Sequence, residues 1–151
     1  MAANDLMAKS AAPSSVTQSF WLWVGAVAAG AVETVAVVGG GEAGSGRDVA
    51  VGVGVRCLAY ALVLGLAFLM RGGTRWARIV LALGLGILGT LSLVMEPIEW
   101  LADDNNSIKT LFAEVDGWWW VAAAARGGHI LAVWGAVALM FTTAANRYFR
   151  K

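Results

Sequence analysis

Apolar residues run almost unbroken through four stretches of this chain, at about 19–38, 49–70, 76–95 and 128–146. Each is close to the ~20 residues that a helix needs to cross ~30 Å of hydrocarbon. A bilayer core offers no water to backbone amides, so segments inside it must close their hydrogen bonds internally, as helices. The run "VAVGVGV" (49–55) has the β-branching of a strand, but the segment lengths and the alanine content favour helix. The pattern predicts an all-α fold, an integral membrane four-helix antiparallel bundle.

The polar stretches between these runs differ from one another. "GGGEAGSGRD" (39–48) holds five glycines and reads as a flexible turn. "RGGTR" (71–75) is a tight basic turn, with Arg78 just beyond it. The third connection, 96–127, is long and acidic: Glu96, Glu99, Asp103, Asp104, Glu114 and Asp116 stand against Lys109 and Arg126. Residues 1–18 read as a disordered cytoplasmic tail. Lys9 is the one basic residue before the first apolar run and no clean cleavage site follows, so the first span acts as an uncleaved signal-anchor. Residues 147–151 form a basic tail. Lysine and arginine near span ends mark the cytoplasmic face. Arg71, Arg75 and Arg78, with Arg147, Arg150 and Lys151, place both termini inside and the acidic loop outside, in a bacterial plasma membrane.

Within the outer loop, Asn105 or Asn106 can cap a short amphipathic helix whose apolar residues Ile108, Leu111, Phe112 and Val115 fall on one face. Trp118, Trp119 and Trp120 follow as interfacial anchors at headgroup level, a role that Trp21, Trp23, Trp76 and Trp100 share near other span ends.

Composition fits the pattern. Of 151 residues, 59% are hydrophobic and 14% charged, more apolar side chain than a soluble domain of this size can cover. The net charge of +1 gives no sign of a nucleic-acid partner. Arginine outnumbers lysine eight to three, which suits a GC-rich bacterial genome. Cys57 is the one cysteine and His129 the one histidine, which excludes an intrachain disulfide, a CxxC pair and bis-histidine haem ligation. No cofactor is expected.

Charges inside the spans are the candidates for chemistry. Glu33 and Arg56 fall at similar depths on consecutive spans, ~7–11 Å below the outer surface, beside Ala26, Ala29 and Gly30 on one helix and Gly52, Ala59 and Tyr60 on the other. Each charge alone in hydrocarbon is costly, so an intramembrane Glu33–Arg56 ion pair is the expectation. The alternative is a protonatable coupling carboxylate. A four-span chain with a glutamate in span one resembles the small multidrug resistance transporters, but the long acidic insert departs from their short loops. Glu96, Glu99, Arg126 and His129 are expected to gather as an outer-face polar cluster. Their spacing carries no metal-site signature, and ordinary interfacial polar residues are the favoured reading. Small residues at packing intervals, Ala82, Gly86 and Gly89, then Ala132 and Ala136, read as helix–helix contacts.

"RGGTRWARIVLALGLGI" (71–87) and "FTTAANRYFRK" (141–151) resemble a family of small four-span actinobacterial integral membrane proteins, as does "FWLWV" (20–24) at the start of the first span. Members often have a proline before the Ala-Asn pair, where this chain has Thr142 and Thr143. The resemblance implies architecture and lineage. It implies no activity and assigns nothing to Glu33 or Arg56. The expected function is a non-enzymatic accessory or scaffold subunit of a cell-envelope system, embedded in the lipid bilayer with another membrane protein or with copies of itself. A small proton-coupled transporter using Glu33 is the alternative.

Overall fold

The structure, a computed structural model, describes residues 12–41, 46–103 and 116–150. The described residues form helices and no strand: α1 (Ser14–Gly39), α2 (Gly46–Arg71), α3 (Arg75–Leu81), a π-helical segment (Ala82–Gly89), α4 (Thr90–Ala102), α5 (Gly117–Met140) and α6 (Thr143–Tyr148). Four helices are long and apolar enough to cross a membrane: α1, α2, the continuous run from Arg75 to Met95, and α5. The all-α four-helix arrangement is the one expected. The amphipathic helix expected at Ile108–Val115 and residues 1–11 of the tail lie outside the described residues.

The boundaries depart from the expected ones at several span ends. Helix α1 starts at Ser14 rather than residue 19, because the Pro13 carbonyl accepts from the amides of Val16 and Thr17 and launches the first turn. Residues 14–18 are therefore helix, and Ser15 and Val16 are buried. The third span runs on through Pro97 and ends at Ala102 rather than near residue 95. Helix α5 begins at Gly117, eleven residues before the expected 128, because the Asp116 carboxylate caps it by accepting from the Trp119 amide at 2.8 Å. It ends at Met140, and α6 is a separate element capped by the Thr142 hydroxyl, which accepts from the Ala145 amide.

Helices α1 and α5 form the spine, antiparallel and in contact along most of their length. The Ser19 hydroxyl donates to the Ala136 carbonyl at 2.9 Å. Leu22 reaches to 3.1 Å of where a Gly135 Cβ would stand, and Trp118 lies against Gly39 and Gly40. Small residues at these crossings let the helices approach, as expected for Ala136. Gly86 does the same for the π segment, where an added Cβ would sit 3.1 Å from Val137.

The packed core lies toward the end that carries α6 and the α2–α3 turn. Phe20, Trp23, Val63, Ala67, Met70, Leu81, Val133, Met140 and Phe149 meet there. Trp23 was expected at a headgroup boundary and is instead 0% exposed, because the earlier start of α1 puts it nine residues inside the helix. Toward the loop end the bundle loosens. Helix α2 buries nothing before Val63, and none of the described side chains of α4 is buried.

Candidate functional site

A belt of polar side chains crosses the α1 interfaces at mid-span. Glu33, 5% exposed, accepts from the Arg126 guanidinium, Nε to Oε1 at 2.8 Å. The expected partner was Arg56, and the structure corrects it. Helix α1 turns Glu33 toward α5, and the early start of α5 places Arg126 nine residues into that helix, about 14 Å from its first residue. A residue assigned to the outer loop is thereby an intrahelical cation at the depth of Glu33. The Arg126 side chain is 25% exposed.

One turn further along α5, His129 faces α1. Its Nδ1 lies 2.8 Å from the Ala26 carbonyl oxygen. A carbonyl only accepts, so Nδ1 carries the proton and, in the neutral ring, Nε2 keeps the lone pair. On the other flank of α1, the Thr34 hydroxyl donates to the Gly30 carbonyl at 2.8 Å and lies 3.1 Å from the Tyr60 hydroxyl on α2. Thr34 has one proton, already given to Gly30, so Tyr60 is the donor in that second bond. Gly30 makes room for it: an added Cβ would stand 2.9 Å from the Tyr60 oxygen.

Of the outer-face cluster expected from Glu96, Glu99, Arg126 and His129, the described side chains do not gather at one point. Arg126 and His129 both point to α1. Glu99 is exposed on α4, with no hydrogen bond or ion pair to either, and the Glu96 side chain lies outside the described residues. Among the described residues no group of His, Cys, Asp and Glu could hold a metal ion. Arg56 is exposed near the loop end of α2. It lines a cavity of about 200 Å³ with Val37, Val38, Asp48, Val49, Gly52 and Val53. At the same end Trp118 closes an apolar cavity of about 300 Å³ with Ala31, Val32, Val35, Ala36 and Val121. Trp119 and Trp120 stack edge-to-face with centroids 5.0 Å apart.

A second polar assembly fastens the opposite end, and nothing in the spacing pointed to it. Arg78 lies between two phenyl rings, 4.6 Å from the Phe141 centroid and 4.7 Å from that of Phe149. Its Nη1 donates to the Met140 carbonyl at 3.2 Å and to Asn146 Oδ1 at 2.8 Å. Arg75 donates through Nε to the Phe149 carbonyl. The Tyr148 hydroxyl donates to the Arg71 carbonyl at 2.9 Å and its ring covers Gly73, whose φ of +92° only glycine takes without strain. Arg71 lies over Phe20 at 5.0 Å. Two arginines at the start of α3 thus neutralise the carbonyl ends of α5 and α6, where a cation is favoured. Segments 71–78 and 141–149 act as one clasp.

No protein-family model, curated protein or solved structure matches this chain.

Proposed function

We propose that this chain is a multi-pass plasma-membrane protein acting as a non-enzymatic accessory or scaffold subunit of a bacterial cell-envelope system. The observation that carries the reading is the bare loop-end half of α2 and α4. These helices are apolar and bury almost nothing there, so their faces meet lipid or the helices of another protein. A chain whose own spans are half-unpartnered suits work beside a larger membrane protein. The buried acid supports the same reading, because Glu33 is engaged by Arg126 and serves the α1–α5 contact.

The orientation has both termini cytoplasmic. The clasp brings Arg71, Arg75, Arg78, Arg147 and Arg150 to one end, while Asp48, Glu99, Asp103 and Asp116 stand in the other half. That separation supports the cationic end as the inner one. The resemblance to small four-span actinobacterial proteins supports a bacterial lineage, and two of the three segments that carry it include the clasp.

Reversible crosslinking in native membranes, followed by purification of the tagged chain, tests the reading. A larger membrane protein should be recovered in fixed stoichiometry. A pure homo-oligomer, with a solute-resistance or accumulation phenotype lost in Glu33→Gln, would overturn it in favour of proton-coupled transport.

A further inference from the structure

Two aromatic side chains stand exposed where α1 and α2 meet, just on the hydrocarbon side of Arg71. Phe68 is 62% exposed and Trp21 is 61% exposed. Both meet the buried ring of Phe20 edge-on, with centroids 4.9 and 5.4 Å from it. The Arg71 guanidinium lies over that same ring at 5.0 Å. Stacking covers one flat face of a guanidinium and leaves its in-plane N–H donors free. Among the described residues the Arg71 side chain has this ring contact and neither hydrogen bond nor ion pair. Arg75 and Arg78, by contrast, are engaged by the carbonyls of Phe149 and Met140.

Depth orders these groups. Helix α2 is 26 residues long, about 39 Å, so centring it on ~30 Å of hydrocarbon leaves about 4 Å beyond each boundary. Arg71 is its last residue and stands at the level of the lipid phosphates. Phe68 is three residues earlier, about 4–5 Å deeper. Trp21 is seven residues into the equally long α1, which places it about 6 Å inside the hydrocarbon. One turn further in, Val24 and Leu64 continue the faces of Phe20 and Phe68 and are half-buried. From the surface inward the sequence is cation, rings, aliphatic side chains. A phospholipid has the matching order of phosphate, glycerol and acyl tails.

The charge at this end selects an anion. The described carboxylates Glu33, Asp48, Glu99, Asp103 and Asp116 all stand in the loop-end half. Asp48 shares α2 with Arg71 but is 23 residues away, about 35 Å. Arg75 and Arg147 are further exposed cations beside the site. Arginine presents a planar fork that matches phosphate oxygens two at a time.

We propose that the α1–α2 crossing binds an anionic phospholipid of the leaflet at the clasp end, with Arg71 holding the phosphodiester and an acyl chain lying along Phe68 and Trp21. The site rests on the membrane-spanning reading of the chain and is independent of its role as an accessory subunit.

Native mass spectrometry of the purified chain in detergent tests it, with phosphatidylglycerol, phosphatidylcholine and diacylglycerol of the same acyl chains. The wild-type protein should retain phosphatidylglycerol at least tenfold better than diacylglycerol, with phosphatidylcholine between them. Arg71→Gln should lose that preference, and Arg71→Lys should keep part of it. Phe68→Glu leaves the arginine in place and gives it an internal counter-ion at i, i+3. It should abolish the preference while keeping wild-type helicity by circular dichroism. Arg56→Gln, at the opposite end of α2, should retain lipid as the wild type does. Equal retention by wild type, Arg71→Gln and Phe68→Glu would overturn the site, as would an equal loss in Arg56→Gln. So would photo-crosslinks from position 21 that reach an acidic segment of another protein and no lipid. Carbonate extraction of the same membranes reads integration separately. Release of the wild-type chain would end the membrane reading and the site together, whereas an embedded chain indifferent to residue 71 would end the site alone.

Discussion

Glu33 and Arg126 hold α1 and α5 together through an ion pair in which the carboxylate is almost wholly buried. Removing one member of a buried pair leaves a charge without compensation, a loss of roughly 3–5 kcal/mol when the pair is fully buried. Because Arg126 is a quarter exposed, the loss here falls below that range. Glu33→Gln and Arg126→Gln should each lower the melting temperature in detergent. The double variant should recover part of the loss, while Arg56→Gln should show no coupling to Glu33→Gln. Additive losses at 33 and 126, or coupling between 33 and 56, would contradict the observed pairing. On the other flank, Tyr60→Phe removes a donor to Thr34 and should destabilise by about 0.5–1 kcal/mol, the scale of hydrogen bonds between membrane helices. Gly30→Ala should cost more than Tyr60→Phe, because it displaces the whole ring. A melting temperature for Gly30→Ala at or above that of Tyr60→Phe would refute the close approach. The need of Glu33 for a cation was legible from an acid in an apolar run. The identity of that cation was not, since the choice turned on where α5 begins.

At the scale of elements, the start of α5 shows what a hydropathy reading weighs wrongly. "GWWWVAAAAR" falls in the long acidic connection of the sequence reading and is the first part of α5 in the structure. The Asp116 cap and the apolar run after it were the available signal for a helix. The π segment was not legible at all. Its three glycines supply few side chains to fix a helical pitch, and the register widens where Gly86 meets Val137. The clasp had partial signals, since its arginines served as markers of membrane side when they also cap carbonyls. Arg78→Ala should cost about 2–3 kcal/mol by losing two hydrogen bonds from a charged donor and two ring contacts. Arg78→Lys should rescue little, because an ammonium has neither the fork nor the flat faces. Thermal unfolding followed by tryptophan fluorescence reads both, and full rescue by lysine would show that charge alone fastens the tail.

For the whole molecule, orientation is the property to measure first. In a Cys57→Ser background, a cysteine at Thr74 should label with a membrane-impermeant maleimide only after permeabilisation. One at Ser107 should label from outside intact cells. The reverse pattern would invert the arrangement. The α1–α5 spine also has a consequence for how the chain is made. Arg126 lies 93 residues after Glu33. At ~5–20 residues per second, the ribosome delivers it roughly 5–20 s after the acid has entered the translocation channel. Through that interval the first span carries a carboxylate whose counter-ion has not been synthesised. Nascent chains arrested before residue 117 should therefore remain beside the insertase, detectable by site-specific crosslinking from the exposed neighbouring position 32, and should partition into lipid once α5 has emerged.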